Sequence, residues 1–199
     1  MDASAWDERY RGTELVWGAE PNRFLVEEVA GLAPGRALDA ACGEGRNALW
    51  LAAQGWETAG VDFSEAGVAR ARSLADQAGL PVTFEVVDLT AWQPPPRRFD
   101  LVLVAYLQLP GTVRHDVYGC LTGAVAPGGT MLVIGHDRAN LTEGVGGPQH
   151  PDVLLDADEV AADLAELVVD VAEQRRRPVA VDGGTRDAVD TVVRARRPR

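Results

Sequence analysis

Apolar runs of strand length alternate with stretches of helical spacing along the chain, and Gly, Pro and Asp separate them. That alternation predicts βα units around a parallel sheet. Leu25, Val29 and Leu32 share one face of a predicted helix over residues 22–32, with Pro21 near its start and Pro34-Gly35 breaking it. A first strand is predicted over 36–41; Gly43 to Gly45 then turn the chain into a helix carrying Ala48, Leu49, Leu51 and Ala52, which a left-handed Gly55 ends. A second strand is predicted over 57–61, followed by a helix that Ser64 caps and Gly79 stops. The third strand covers 82–87, and Pro94-Pro95-Pro96 makes a stiff loop. Residues 99–105 are almost continuously apolar, as a strand buried on both faces should be.

The second half is less regular. A helix is predicted over 114–125, and Pro127-Gly128-Gly129 turns into a fifth strand over 130–134. Residues 136–156 read as one long loop, rich in Gly and Pro, and a loop that long in a compact domain is usually functional or disordered. Asp156 and Glu159 make a capping box for a further helix. Two strands close the chain, over 167–174 and 188–196, and Asp182-Gly183-Gly184 between them predicts an antiparallel return. The sum is one α/β domain over residues 1–199, a doubly wound, Rossmann-like sheet of seven strands, mostly parallel with the last antiparallel. In such sheets ligands bind at the carboxyl ends of the strands, so the loops after strands one to four are where chemistry is sought.

Composition narrows the function. The 199 residues carry 30 acidic and 19 basic side chains, a net charge of -11. That field repels a polyanion, and no nucleic-acid partner is expected. Arg175, Arg176, Arg177, Arg194, Arg196, Arg197 and Arg199 cluster late with no aromatic residues between them, and are read as charging the ends of two strands. No apolar run approaches a membrane span, and the acidic start of the chain is no secretory signal; a cytoplasmic location without membrane contact is expected. Cys42 and Cys120 are too few for a disulfide framework and have no zinc-like spacing.

The strongest local signal is Asp39-Ala40-Ala41-Cys42-Gly43-Glu44-Gly45-Arg46-Asn47, a strand running into two glycines and a helix. Gly43 and Gly45 let a ligand approach the backbone, and the helix start behind them offers free N–H groups. Gly43-Glu44-Gly45-Arg46-Asn47-Ala48 also fits the dinucleotide fingerprint, so the glycines alone decide little. Three acids decide more. Asp39 would crowd a pyrophosphate but suits an ammonium group, directly or through water. Asp62 ends the second strand and suits ribose hydroxyls. Asp88 ends the third, placed for an adenine amino group with Leu89 on the ring. Together they suit S-adenosylmethionine better than NAD.

At this point the chain resembles the class I S-adenosylmethionine-dependent methyltransferases. Asp39 to Gly45 resembles their first motif, D-x-G-x-G-x-G, with Ala41 replacing the first glycine, a mild departure if φ is negative there. Val61-Asp62, Asp88-Leu89, Phe99-Asp100-Leu101-Val102 and Pro127-Gly128-Gly129-Thr130-Met131-Leu132 resemble the later motifs. Trp6-x-x-x-Tyr10, Trp17-Gly18, Pro21-Asn22 and the Cys42 to Asn47 run resemble small enzymes of the tellurite-resistance and thiopurine methyltransferase kind. The resemblance implies S-adenosylmethionine as cofactor, S-adenosylhomocysteine as product and a small-molecule acceptor. It also implies cofactor contacts at Trp6, Tyr10, Trp17, Asp39, Ala41, Gly43, Gly45, Arg46, Asn47, Asp62, Phe63, Ser64, Asp88, Leu89, Ala105 and Tyr106. Residues 1–33 would cover the cofactor, with Trp6, Tyr10 and Trp17 either a lid over it or a hydrophobic clasp on the sheet.

Methyl transfer from a sulfonium is an in-line displacement that mainly needs alignment; a hydroxyl acceptor also benefits from a base. His136, ending strand five, is either that base or a loop histidine paired with Asp137; Tyr106 either faces the acceptor or packs. The segment Ala105-Tyr106-Leu107-Gln108 lacks the N/D-P-P-Y/F pattern of enzymes acting on DNA adenine or protein glutamine. Asp137 alone is no metal cluster, so no metal is expected. The 136–156 loop would fold over the acceptor. Two other functions stay open: an NAD-dependent oxidoreductase, which leaves Asp39 and Asp88 unexplained, and a cofactor-binding protein without catalysis.

Overall fold

The computed structural model describes residues 3–12 and 15–199; Met1, Asp2, Thr13 and Glu14 of the predicted covering segment lie outside the described residues. Along the chain run α1 (Ala3–Tyr10), α2 (Arg23–Val29), β1 (Arg36–Ala40), α3 (Arg46–Ala53), β2 (Glu57–Asp62), α4 (Glu65–Ala78), β3 (Val82–Val86) and β4 (Phe99–Ala105). They are followed by α5 (Gly111–Ala124), β5 (Val125–His136), α6 (Asn140–Glu143), a 3-10 turn (Pro151–Val153), α7 (Ala157–Asp163), β6 (Val168–Val181) and β7 (Gly184–Arg196). The seven strands form one sheet in the order β3-β2-β1-β4-β5-β7-β6. Every pair from β3 to β5 is parallel, and β7 lies antiparallel between β5 and β6. Strand order reverses between β1 and β4, which opens a crevice at their carboxyl ends.

The local signals act as read. The Asn22 carboxamide accepts from the Phe24 and Leu25 N–H groups at 2.9 and 3.3 Å and starts α2. The Ser64 hydroxyl accepts from the Gly67 N–H at 3.0 Å, and Gly79 at φ +64° ends α4. Strand alternation splits the core between two faces. Val102, Val104, Met131 and Val133 pack with Tyr118 and Leu121 of α5 and Leu164. Leu101, Leu103, Leu132 and Ile134 pack with Phe24, Leu25 and Val29 of α2 and Leu51 of α3. α2 is thus a core layer rather than part of a cover.

Five expectations change. Pro127-Gly128-Gly129 lies inside β5, as an irregularity between the Phe99–Val125 and Leu101–Thr130 pairs, not before it. The closing hairpin is longer than its apolar pattern, because beyond Asp190 it leaves β5 and continues as a two-stranded ribbon to a turn at Asp182-Gly183. Arg175, Arg176 and Arg177 therefore sit within β6, not at a strand end. Arg175 and Arg194 both reach Glu28 of α2, at 2.5 and 2.9 Å. The 136–156 stretch holds α6, the 3-10 turn and an Asp137–Leu155 bridge. Asp156 caps α7 through the Asp158 and Glu159 N–H groups, but Glu159 turns to Arg138 instead of closing a box.

Candidate active site

A cavity of about 1090 Å³ opens at the carboxyl ends of β1, β2, β4 and β5. Its floor is the turn after β1. Gly43 has φ +53°, and a Cβ there would stand 2.6 Å from the Tyr10 hydroxyl, so only glycine fits. Gly45, at φ +81°, faces away; a Cβ there would meet Ala71 and Phe84 at 2.9 Å. Its task is close packing of α3 against α4 and β3 rather than lining. Ala41 has φ +65°, so the expectation of negative φ at this position is corrected. A Cβ in the left-handed region costs about 1 kcal/mol, and the strain sits on the cavity wall.

The three acids part company. Asp62 ends β2 at the cavity, where it accepts from the Gly43 N–H at 2.8 Å and the Ser64 N–H at 2.9 Å. Burial raises its carboxyl above the ordinary value. Asp88 lies at the exposed mouth and accepts from the Thr90 N–H and hydroxyl at 2.9 and 2.7 Å, bonds that hold its carboxyl low. Asp39 is fully buried beneath the lining, neither carboxylate oxygen has a hydrogen-bond partner among the described residues, and burial pushes it up to about 7. An unsatisfied buried carboxylate under a ligand-sized cavity is a standing acceptor for a donor brought from outside.

Of the other expected cofactor contacts, Trp6, Tyr10, Trp17, Arg46, Asn47, Phe63, Leu89, Ala105 and Tyr106 line the cavity with Ala41 and Gly43. Asp39, Gly45 and Ser64 do not. Ser64 is buried, donating its hydroxyl to Asp7 while it caps α4.

The glycine-turn polar residues hold the segment over the cavity in place. Glu44 accepts from the Val16 N–H at 2.9 Å and pairs with Arg70 at 3.2 Å. Arg46 donates to the Trp17 carbonyl at 3.0 Å, and Asn47 accepts from the Asn22 N–H at 2.9 Å. Trp6 stacks on Tyr10 at 5.5 Å and lies 6.1 Å from Trp17, with the Arg9 guanidinium over both indoles. Tyr10 is buried against Gly43 and Gly67, while Trp17 stays exposed. The three aromatics thus form one group that lines the cavity.

The far end is built differently. Tyr106 (φ +58°) donates its hydroxyl to Asp190 at 2.9 Å, and its ring lies 4.9 Å from that of His136. His136 pairs with Asp190 at 3.2 Å and not with Asp137, whose carboxylate is taken by Ala139, Gln174 and Thr191. Arg177 donates to Asp190 at 2.9 Å from β6. Val145, Gly146 and Gly147 reach the same wall, fixed by Asn140, which donates to the Gly146 carbonyl at 2.9 Å and accepts from the Val189 N–H at 2.8 Å. Asp190 and Arg177 escape sequence reasoning; the only hint of Asp190 is an acid within the apolar run of β7.

Residues 37–129 match the family model described as a methyltransferase domain. The chain is 32% identical over 130 residues to the 2-heptyl-1-hydroxyquinolin-4(1H)-one methyltransferase of Mycobacteroides abscessus, a match over 64% of this chain and 56% of that one. The chain spans about half the length of the curated relatives it matches. Among solved structures, one from work on the conversion of a disulfide bond into a thioacetal group during echinomycin biosynthesis superposes with TM-score 0.77 at 27% identity, covering 98% of this chain and 92% of that one. TehB from Haemophilus influenzae superposes with TM-score 0.74 at 17% identity, covering 98% and 66%, a likeness of fold.

Proposed function

We propose that this chain transfers the methyl group of S-adenosylmethionine to a small-molecule acceptor by in-line displacement, releasing S-adenosylhomocysteine. One observation carries the reading: a single cavity of about 1090 Å³ joins an acid-rimmed glycine turn to a separate polar cluster around Tyr106 and His136. That is room for two molecules end to end. The methyltransferase family match and the methyltransferases among the relatives support the chemistry.

The cofactor would supply a methyl group already activated on sulfonium. Asp62 would accept from the ribose hydroxyls, with Phe63 and Leu89 against the adenine and Asp88 at its amino group. Asp39, one layer below, would draw the ammonium end by charge, through water. Trp6, Tyr10 and Trp17 would exclude solvent. This is the build of the tellurite-resistance and thiopurine methyltransferase kind, which the aromatic cover over the Cys42 to Asn47 turn supports. The acceptor would lie against Tyr106, His136 and the 145–147 segment.

Calorimetric titration with S-adenosylmethionine, S-adenosylhomocysteine and NAD tests the reading. Binding of the first two without NAD is expected; binding of NAD alone refutes it.

A further inference from the structure

Asp190 stands in β7 with 0% exposure, and three side chains from three other strands or strand ends converge on it. Tyr106, after β4, and Arg177, on β6, both donate to its Oδ2 at 2.9 Å. Among the described residues its Oδ1 has no hydrogen-bond partner, and neither does Nδ1 of His136, the end of β5, yet the two atoms are 3.2 Å apart. Two buried atoms facing each other, each without another partner, mark one hydrogen bond that tightens when the site fills. Burial pushes the Asp190 carboxyl up, but His136 and Arg177 outweigh it and hold the group ionised. An ionised carboxylate only accepts, so Nδ1 is the nitrogen that donates to it, and in the neutral ring that leaves Nε2 with the bare lone pair. The ring is fixed by Tyr106 on one side and by Gly147, where a Cβ would come within 2.8 Å of Nε2. The same cavity is lined by the apolar side chains of Leu107, Leu109, Val145, Pro178 and Val179.

Resting on the methyl-transfer reading, we propose that Asp190 is the positioning residue that makes His136 a general base and that the acceptor is an aryl or heteroaryl hydroxyl compound. In the step, the acceptor O–H breaks and its proton passes to Nε2. The oxygen lone pair forms the new O–C bond while the C–S bond breaks, its electron pair staying on sulfur. The imidazolium formed lies against the Asp190 carboxylate. The hydroxyl class follows from matching acidities. A phenol ionises near ~10, far more readily than a water-like hydroxyl near ~15.7, and is the hydroxyl within reach of an imidazole base. The apolar wall takes the ring.

The test has two parts. In the ligand-free protein labelled with nitrogen-15 histidine, the His136 spectrum shows protonated Nδ1 and bare Nε2 at neutral pH, and Asp190→Asn loses that single tautomer. In turnover, 2-naphthol and 2-naphthalenethiol, the second already ionised, are compared with S-adenosylmethionine as donor. Asp190→Asn, and independently His136→Gln, lower transfer to the naphthol by about 100-fold or more and to the thiol by less than about threefold. An unchanged His136 spectrum overturns the positioning role. Equal losses on both acceptors overturn the base. No transfer to the naphthol by a chain that binds S-adenosylmethionine in the calorimeter overturns the acceptor class. A chain that does not bind it fails the earlier reading first, and this one with it.

Discussion

At the β1–β3 end of the cavity the polar groups come from turns that follow one another along the chain; at the β4–β7 end they come from residues up to 84 positions apart. The first end is held largely by backbone. Asp62 is fixed by the Gly43 and Ser64 N–H groups, and Asp88 by its own turn. The second is held by side chains on one buried carboxylate, Asp190. A site made of strand-end turns can be kept for a common ligand, while one made of side chains on edge elements can be rebuilt for each acceptor. The ribbon that carries Arg177, Pro178 and Val179 to the cavity is the outermost strand, where change disturbs least of the core.

The largest effect expected belongs to the turn end. Asp39 titrates near 7 when folded against an ordinary 3.8, so the folded chain binds that proton more tightly than the unfolded one. Its contribution is present in full below pH 4 and is lost as pH rises through 7, by about 4 kcal/mol at most. Asp39→Asn should flatten this decline in urea unfolding measured across pH; parallel curves for the two proteins would mean that the carboxylate ionises without cost. Gly45→Ala should cost about 2–3 kcal/mol in the same assay, since a Cβ meets Phe84 and Ala71 at 2.9 Å and the backbone is left-handed. A loss below 1 kcal/mol would show that α3 can lift from β3 freely.

At the side-chain end, Tyr106→Phe should leave cofactor affinity within about threefold and weaken acceptor binding by roughly 1 kcal/mol, one hydrogen bond to Asp190 being removed. Equal weakening of both ligands would erase the distinction between the ends. The smallest effect sharpens the turn end again. Ala41→Gly should raise stability by about 0.5 kcal/mol, relief of the strain at φ +65° outweighing the added chain entropy. A loss would mean that the Ala41 methyl packs to more effect than its backbone suffers.

The same contrast explains what could be read from the sequence. β4, α4 and their caps follow from local pattern, because Phe99 to Ala105 is buried on both faces and Ser64 and Gly79 act on adjacent backbone. The glycine turn and Asp62 are legible for the same reason. The left-handed φ of Ala41 is not legible, because it is imposed by the turn and not by alanine's preference. The strand pattern of the long hairpin ends at Gln174 because a ribbon leaving the sheet no longer alternates apolar with polar. Of the two sequence readings of His136, the one that pairs it with its neighbour Asp137 fails because its partner is Asp190 across the β5–β7 pair, a register no single sequence displays.

The division of labour between the two ends is tested most directly by titrating S-adenosylhomocysteine into the wild-type chain, Asp62→Ala and Asp190→Asn. Micromolar binding is expected for the wild type, with affinity reduced by about 100-fold in Asp62→Ala, a charged acceptor of two hydroxyl hydrogen bonds being lost, and retained within about threefold in Asp190→Asn. Loss of affinity in Asp190→Asn as deep as in Asp62→Ala would contradict the account.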